Sequence, residues 1–195
     1  MTTRLILVSH AVTQWNIEGR IQGHTDVPLN RQGKKMAELL AERLAEEIIG
    51  AIYTSDLKRA VQTAEPISKQ KSIKIIQDIR LREGRSINQE RSDTYPTLPF
   101  PLEVETKTDL YRRATEALTQ IAMNHQNQTV LVVSHGGLLD IFITALLEKS
   151  ENKLLQYKGK RMALNQIKYN LGHWHCITLN EDAFLKNKTL MIKDA

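Results

Sequence analysis

The tripeptide Val-Ser-His occurs twice in this chain of 195 residues, at 8–10 and again at 133–135. Each copy ends a run of apolar residues, and two glycines follow the second copy. In open parallel sheets, ligands bind in the crevice beyond the carboxyl ends of the strands. His10 and His135 are therefore better placed for chemistry than for packing, although either histidine alone could merely end a strand.

The two apolar runs, Leu5–Val8 and Val130–Val133, place apolar residues at successive positions. This pattern is typical of strands that are buried on both faces of a parallel sheet. Further strands are predicted at 51–54 and 73–76. Apolar residues at helical spacing predict helices that begin near Asn30 and Ser55, a helix around 110–121, and another after His135. We expect Pro66 to end or kink the second of these helices.

Strands that alternate with helices indicate an α/β fold, here a three-layer α/β/α sandwich with a mostly parallel sheet. The length suits one domain over residues 1–195. Residues 84–108 contain three prolines and little periodicity, which predicts an irregular insertion, and we expect it to lie over the site. Alternation at 162–179 predicts a terminal β-hairpin.

Composition limits the function classes. The net charge of +5 favours an anionic partner, and phosphorylated metabolites satisfy this as well as nucleic acid does. Scattered basic residues and only 5% aromatic residues argue against nucleic acid.

No apolar run approaches the roughly 20 residues of a membrane span, and the first run is too short for a signal peptide, so we expect a cytoplasmic protein.

Metal and disulfide chemistry have little support in the sequence. Cys176 is the only cysteine, which excludes an intrachain disulfide and leaves a cysteine-based zinc site without partners. His173 and His175 are two residues apart, as metal ligands on one strand face can be, but no carboxylate or cysteine partner is evident. We therefore expect neither a metal nor a cofactor.

Longer stretches of the sequence resemble the histidine phosphatase superfamily, which includes the phosphoglycerate mutases and their phosphatase relatives. The resemblance begins at 7–16, continues through 20–29, Gly33 and 53–64, and resumes at 81–83 and 133–137. These stretches occur in the family's order and cover most of the chain. They identify the chain as a histidine phosphatase-like domain.

The resemblance implies roles for individual residues. His10 would be the nucleophile, which suits a neutral imidazole near pH 7. His135 would donate to the phosphoryl oxygens, and Glu83 would protonate the leaving oxygen and then activate water. The residues that would contact the substrate phosphate are Arg59, Asn16, Gly23 and Gly136. For Glu83, the alternative is a surface ion pair with one of the arginines around it.

One position departs from the family pattern. The family has arginine immediately before the nucleophilic histidine, and here that residue is Ser9. An arginine gives a phosphate dianion a full charge and two parallel hydrogen bonds, whereas serine gives one neutral hydrogen bond. This predicts reduced activity unless another arginine, such as Arg85 or a neighbour, replaces the lost charge.

Three functions fit these observations. The favoured one is a phosphomonoesterase that hydrolyses a small phosphorylated metabolite through a phosphohistidine on His10. A phosphoglycerate mutase is disfavoured because the chain looks short and its first motif is altered. The third is a catalytically silent relative that binds phosphorylated ligands or a protein partner, which Ser9 favours and the retention of a nucleophile and an acid opposes. A homodimer is left open.

Overall fold

The computed structural model describes residues 2–85, 105–149 and 157–186. Six strands form one sheet in this part of the chain: β1 (Thr2–Ser9), β2 (Ala51–Thr54), β3 (Ile75–Gln77), β4 (Thr129–Ser134), β5 (Leu164–Asn170) and β6 (His173–Glu181). The strand order is β3-β2-β4-β1-β5-β6. The first four strands in this order are parallel, and β5 and β6 join them as an antiparallel hairpin. The predicted mostly parallel sheet is confirmed.

A short helix, α1 (Gln14–Ile17), follows β1 and buries no residue. Four longer helices in the described part of the chain cover the sheet: α2 (Arg31–Arg43), α3 (Lys58–Lys71), α4 (Lys107–Asn124) and α5 (Gly136–Lys149). Buried residues of α2 and α3 pack in one core cluster, and buried residues of α4 and α5 pack in another. Because side chains alternate along a strand, β1 sends Ile6 and Val8 into the first cluster, and Leu5 and Leu7 into the second. The layers are therefore helix, sheet and helix, as the apolar runs predict.

Helix α2 begins as expected, because the Asn30 side chain accepts a hydrogen bond from the backbone N–H of Gly33 at 2.8 Å. The prediction for α3 is wrong at its N-cap. Its N-cap is Leu57, without a side-chain cap, and Ser55 bonds elsewhere. Pro66 does not end α3, which continues to Lys71. Ile67, directly after the proline, is fully buried, and this burial offsets the hydrogen bond that the proline cannot make.

Other boundaries shift by a few residues. The strand predicted at 73–76 lies at Ile75–Gln77, and the terminal hairpin is confirmed at Leu164–Glu181. Of the irregular insertion predicted at 84–108, residues 86–104 lie outside the described part of the chain. Lys107 and Thr108 already belong to α4, because the Thr106 side chain caps that helix. Among the described residues, no helix has the length and apolarity that a membrane crossing needs.

Candidate active site

The sheet register brings the two Val-Ser-His tripeptides together. Strands β1 and β4 are parallel neighbours in which Ser9 pairs with Ser134, so the residue after each strand emerges at the same edge. The backbone N–H of His10 donates to the carbonyl of Ser134 at 2.9 Å. The centroids of the His10 and His135 rings are 5.3 Å apart. The predicted convergence of the two histidines is therefore what the structure shows.

His10 has a defined protonation state. Its Nδ1 lies 2.7 Å from the carbonyl oxygen of Ala11, and since a carbonyl only accepts, Nδ1 carries the proton and Nε2 keeps its lone pair. Burial, and after it the positive charge of Arg59, lowers the pKa of His10 to about 3. The ring is thus neutral at physiological pH, as a nitrogen nucleophile must be.

His135 lies behind His10 and is fully buried. Its Nε2 is 2.7 Å from the hydroxyl oxygen of Ser55, and its Nδ1 has no hydrogen-bond partner within the described structure. Burial first, and then the neighbouring His10, holds the pKa of His135 well below its usual value. Both rings at this edge are therefore neutral.

A cavity of about 830 Å³ opens beside His10. Six of the seven residues predicted for the site line this cavity: His10, Asn16, Gly23, Arg59, Glu83 and Gly136. The seventh, His135, is buried next to His10. Five further basic side chains also line it: Arg20, Arg85, Lys107, Lys160 and Arg161. With only three acidic residues in the lining, the cavity is suited to an anionic ligand.

Arg59 is a buried cation in the first turn of α3. Its terminal nitrogens donate to the carbonyl oxygens of Thr25 at 2.7 Å and Gly23 at 2.6 Å, while its buried Nε has no partner in the described structure. Burial lowers its pKa to about 10, so the guanidinium stays charged at pH 7. Gly23 has a φ of 42°, a conformation that suits glycine and directs its carbonyl to Arg59.

Asn16 is fixed by the short helix α1. Together with Thr13 it forms a capping box, in which each side chain bonds the other's backbone. Its Oδ1 also accepts a hydrogen bond from Arg161 at 3.1 Å. With the oxygen engaged, the amide nitrogen is the group that Asn16 can offer to a ligand.

The side chain of Glu83 contacts the first turn of α5. Its carboxylate accepts hydrogen bonds from the backbone N–H groups of Gly84, Gly137 and Leu138, at 3.0–3.1 Å. Arg80 and Arg82 pair with Asp78 and Asp56 instead. No ion pair joins Glu83 to an arginine among the described residues, so the arrangement opposes the surface ion-pair alternative.

Two residues that the sequence did not reveal hold the Glu83 segment. Arg113 on α4 donates to the carbonyls of Arg80 at 2.6 Å and Arg82 at 2.9 Å, and it pairs with Glu105. His24 lies with Nε2 2.7 Å from the Glu83 carbonyl oxygen. Neither contact has a local sequence signal, because the partners are distant along the chain.

Ser9 lines the cavity, and its hydroxyl also contacts a distant segment of the chain. Its hydroxyl oxygen accepts a hydrogen bond from the backbone N–H of Met162 at 3.0 Å. The residue before Met162 is Arg161, which lines the cavity. Arg85 also lines the cavity, and its Nε donates to His24 at 3.2 Å.

The described ranges contain no group of three histidine, cysteine or acidic side chains that could hold a metal ion. His173 and His175, the pair at ligand spacing, are both exposed on β6. Among the described residues, no third ligand completes a site with them.

The chain is similar to known proteins in both sequence and fold. Residues 5–182 match the family model described as "Histidine phosphatase superfamily (branch 1)". The chain is 33% identical to "Metal-independent phosphoserine phosphatase" of Arabidopsis thaliana, across 94% of this chain and 86% of that protein. It is also 33% identical to "Uncharacterized phosphatase PhoE" of Bacillus subtilis, across 94% of this chain and 97% of that protein. The structure of Bacillus stearothermophilus YhfR superposes with a TM-score of 0.82 at 30% identity, covering 94% of this chain and 99% of that one.

Proposed function

The chain belongs to the histidine phosphatase superfamily, and we propose that it hydrolyses a small phosphorylated metabolite through a phosphohistidine formed on His10. The observation that carries the proposal is the state of His10. This buried imidazole is neutral, has its Nδ1 proton tied to the Ala11 carbonyl, and borders a cationic cavity. Such a ring presents a free Nε2 lone pair to a bound phosphate.

The first step transfers the phosphoryl group. Nε2 of His10 forms a bond to phosphorus while the bond from phosphorus to the ester oxygen breaks. Glu83, in its protonated form, gives a proton to the leaving oxygen, so an alcohol departs rather than an alkoxide. Arg59 lies in the cavity wall, where its charge stabilises the negative charge on the transferring oxygens.

The second step releases phosphate. Glu83, now ionised, accepts a proton from a water molecule as that water attacks phosphorus. The bond between phosphorus and Nε2 breaks, which returns His10 to its neutral form and Glu83 to its protonated form. The backbone N–H groups of Gly137 and Leu138 hold the Glu83 side chain in one position between the two steps.

His135 can support both steps from beneath His10. If the Ser55 hydroxyl donates to Nε2, Nδ1 of His135 carries the proton and is the ring's free donor. Asn16 and Gly136 would add neutral donors around the phosphate. Asn16 and Gly136 both line the cavity, which supports this part of the proposal.

The substrate proposal is a small phosphate monoester. The cavity accommodates a metabolite, and its carboxylates, including Asp140, could accept from a substrate amino group. The name of the Arabidopsis relative makes phosphoserine the first compound to test. A panel of sugar phosphates and phosphorylated acids completes the screen.

The test compares the natural protein with His10→Asn. The natural protein should turn over p-nitrophenyl phosphate and at least one metabolite, and acid-free quenching should trap an acid-labile, alkali-stable phosphoprotein. His10→Asn should lose about a thousandfold or more in rate and the label. His173→Asn, which removes an exposed histidine, is the matched control. Turnover that survives in His10→Asn would reject the mechanism, and binding without turnover would favour the silent relative.

A further inference from the structure

The Ser9 side chain ties the end of β1 to the segment that leads into β5. The hydroxyl oxygen of Ser9 accepts from the backbone N–H of Met162, a residue 153 positions away. Both residues are buried, with Ser9 only 8% exposed. A hydrogen bond in this environment is costly to lose, because the Met162 N–H would be left without a partner.

The same segment contains a tight turn. The backbone N–H of Ala163 donates to the carbonyl of Lys160 at 3.1 Å, so Arg161 and Met162 are the two central residues. Met162 has a φ of 58° although it is not glycine. Such a backbone conformation is strained in a residue that has a side chain, and it persists only where surrounding contacts fix it. The Ser9 hydroxyl and the burial of the Met162 side chain are contacts of this kind.

The turn holds Arg161 beside the nucleophile. Arg161 lines the cavity and donates to Asn16 at 3.1 Å. Its charge also acts on His10, since Arg161 is among the groups that lower the pKa of His10 and Arg85 is not. Desolvation lowers the pKa of Arg161 itself, and the negative charge of Glu83 only partly opposes this effect.

Most other cations of the cavity already have partners. Lys160 pairs with Asp182, and Arg20 pairs with Glu18. Arg85 donates to His24. By contrast, Arg161 and Arg59 form no ion pair within the described residues. Their charge is available to a ligand.

We infer that Arg161 binds the substrate phosphate together with Arg59, and that Ser9 is a positioning residue that fixes the Arg161 turn. The cation that the family carries immediately before its nucleophile is, in this chain, supplied from the start of the terminal hairpin. The inference rests on the proposed function for its substrate, but its central claim concerns phosphate binding and can be measured without turnover.

The primary test is the binding of inorganic phosphate, measured by calorimetry on the full chain. Arg161→Met should weaken binding about tenfold to a hundredfold, the range expected for charge-assisted hydrogen bonds. Arg161→Lys, which keeps the charge without the planar fork, should recover part of the loss. Lys158→Met removes an equal charge from an exposed residue three positions away and outside the cavity lining, and it should bind phosphate as the natural protein does.

The role of Ser9 is tested by a double-mutant cycle. Ser9→Ala should weaken phosphate binding severalfold in the natural protein and have no further effect when residue 161 is methionine. An NMR titration adds a second readout. Arg161→Met should raise the pKa of His10, because a positive charge has been removed, whereas Arg161→Lys, which keeps that charge, should leave the pKa of His10 low.

The outcomes separate the two proposals. Phosphate binding that is unchanged in Arg161→Met, or absent from the natural protein, overturns the inference. Additive losses from Ser9→Ala and Arg161→Met overturn the positioning role. Failure of the proposed function appears differently, as an absence of turnover and of phosphohistidine in a protein whose phosphate binding still depends on Arg161.

Discussion

The Glu83 carboxylate accepts a hydrogen bond from the backbone N–H of Gly137 at 3.1 Å. This contact joins the segment after β3 to the first turn of α5, where the helix dipole favours a negative charge. Because α5 begins directly after His135, the second Val-Ser-His tripeptide and the candidate acid share one helix terminus. A substitution of Glu83 or of Gly137 should therefore reduce the rate of proton transfer more than it reduces the stability of the fold.

Gly137→Ala should reduce turnover of alkyl phosphates tenfold or more. A Cβ at this position would lie 2.6 Å from Oε1 of Glu83, so the carboxylate must move. At Gly136 a Cβ would meet nothing within 4 Å, so Gly136→Ala should lose far less activity. Steady-state kinetics of both variants, with melting temperatures, check this. Similar losses in both would contradict it.

Glu83→Gln should slow substrates with poor leaving groups far more than those with good ones. The amide keeps the size of the side chain but cannot protonate a leaving oxygen, so an alkyl phosphate should lose about a hundredfold or more. An aryl phosphate such as p-nitrophenyl phosphate needs little protonation and should lose much less. The measurement is kcat/KM across a series of leaving groups. Equal losses on both classes would remove Glu83 from the acid role.

Ser9→Arg should lower activity about tenfold, although the family pattern alone favours an increase. The substitution would remove the hydrogen bond from the Met162 N–H, and the larger side chain would have to fit where Ser9 is only 8% exposed. It would also place its guanidinium in the same cavity as that of Arg161, where the two positive charges repel each other. Phosphate affinity and kcat/KM, measured together, check the prediction. A clear gain in both would mean that the cavity lacks a cation and that Arg161 does not supply it.

Stability should fall as the pH decreases below about 6.5. An unfolded histidine binds a proton near pH 6.5, whereas folded His10 stays neutral down to about pH 3 and the pKa of His135 is also strongly lowered. The unfolded state therefore binds more protons at this acidic pH. His10 alone costs about 2 kcal/mol of stability at pH 5, and His135 acts in the same direction. Urea unfolding at pH 7.5 and pH 5 measures the effect. His10→Asn should reduce the pH dependence, and His173→Asn should leave it unchanged.

The sequence alone determined the central sheet and much of the site. The apolar runs before His10 and His135 identify strands buried on both faces, because only a sheet covered by two helix layers needs apolar residues at every position. Parallel strands end at one edge, so residues at their carboxyl ends meet without further information. The Asn30 cap is equally local, since its partner is three residues away.

Other features were decided by the tertiary structure. Ser55 bonds His135 rather than capping α3, and its partner is 80 residues away. Arg161 reaches the cavity through a turn that a hydrogen bond from Met162 to Ser9 holds across 153 positions. The neutral state of His10 follows from burial and from two arginines brought close by folding. Spacing along a sequence reports neighbours within a strand or a helical turn, whereas these contacts and the desolvation that shifts a pKa exist only once distant segments have packed together.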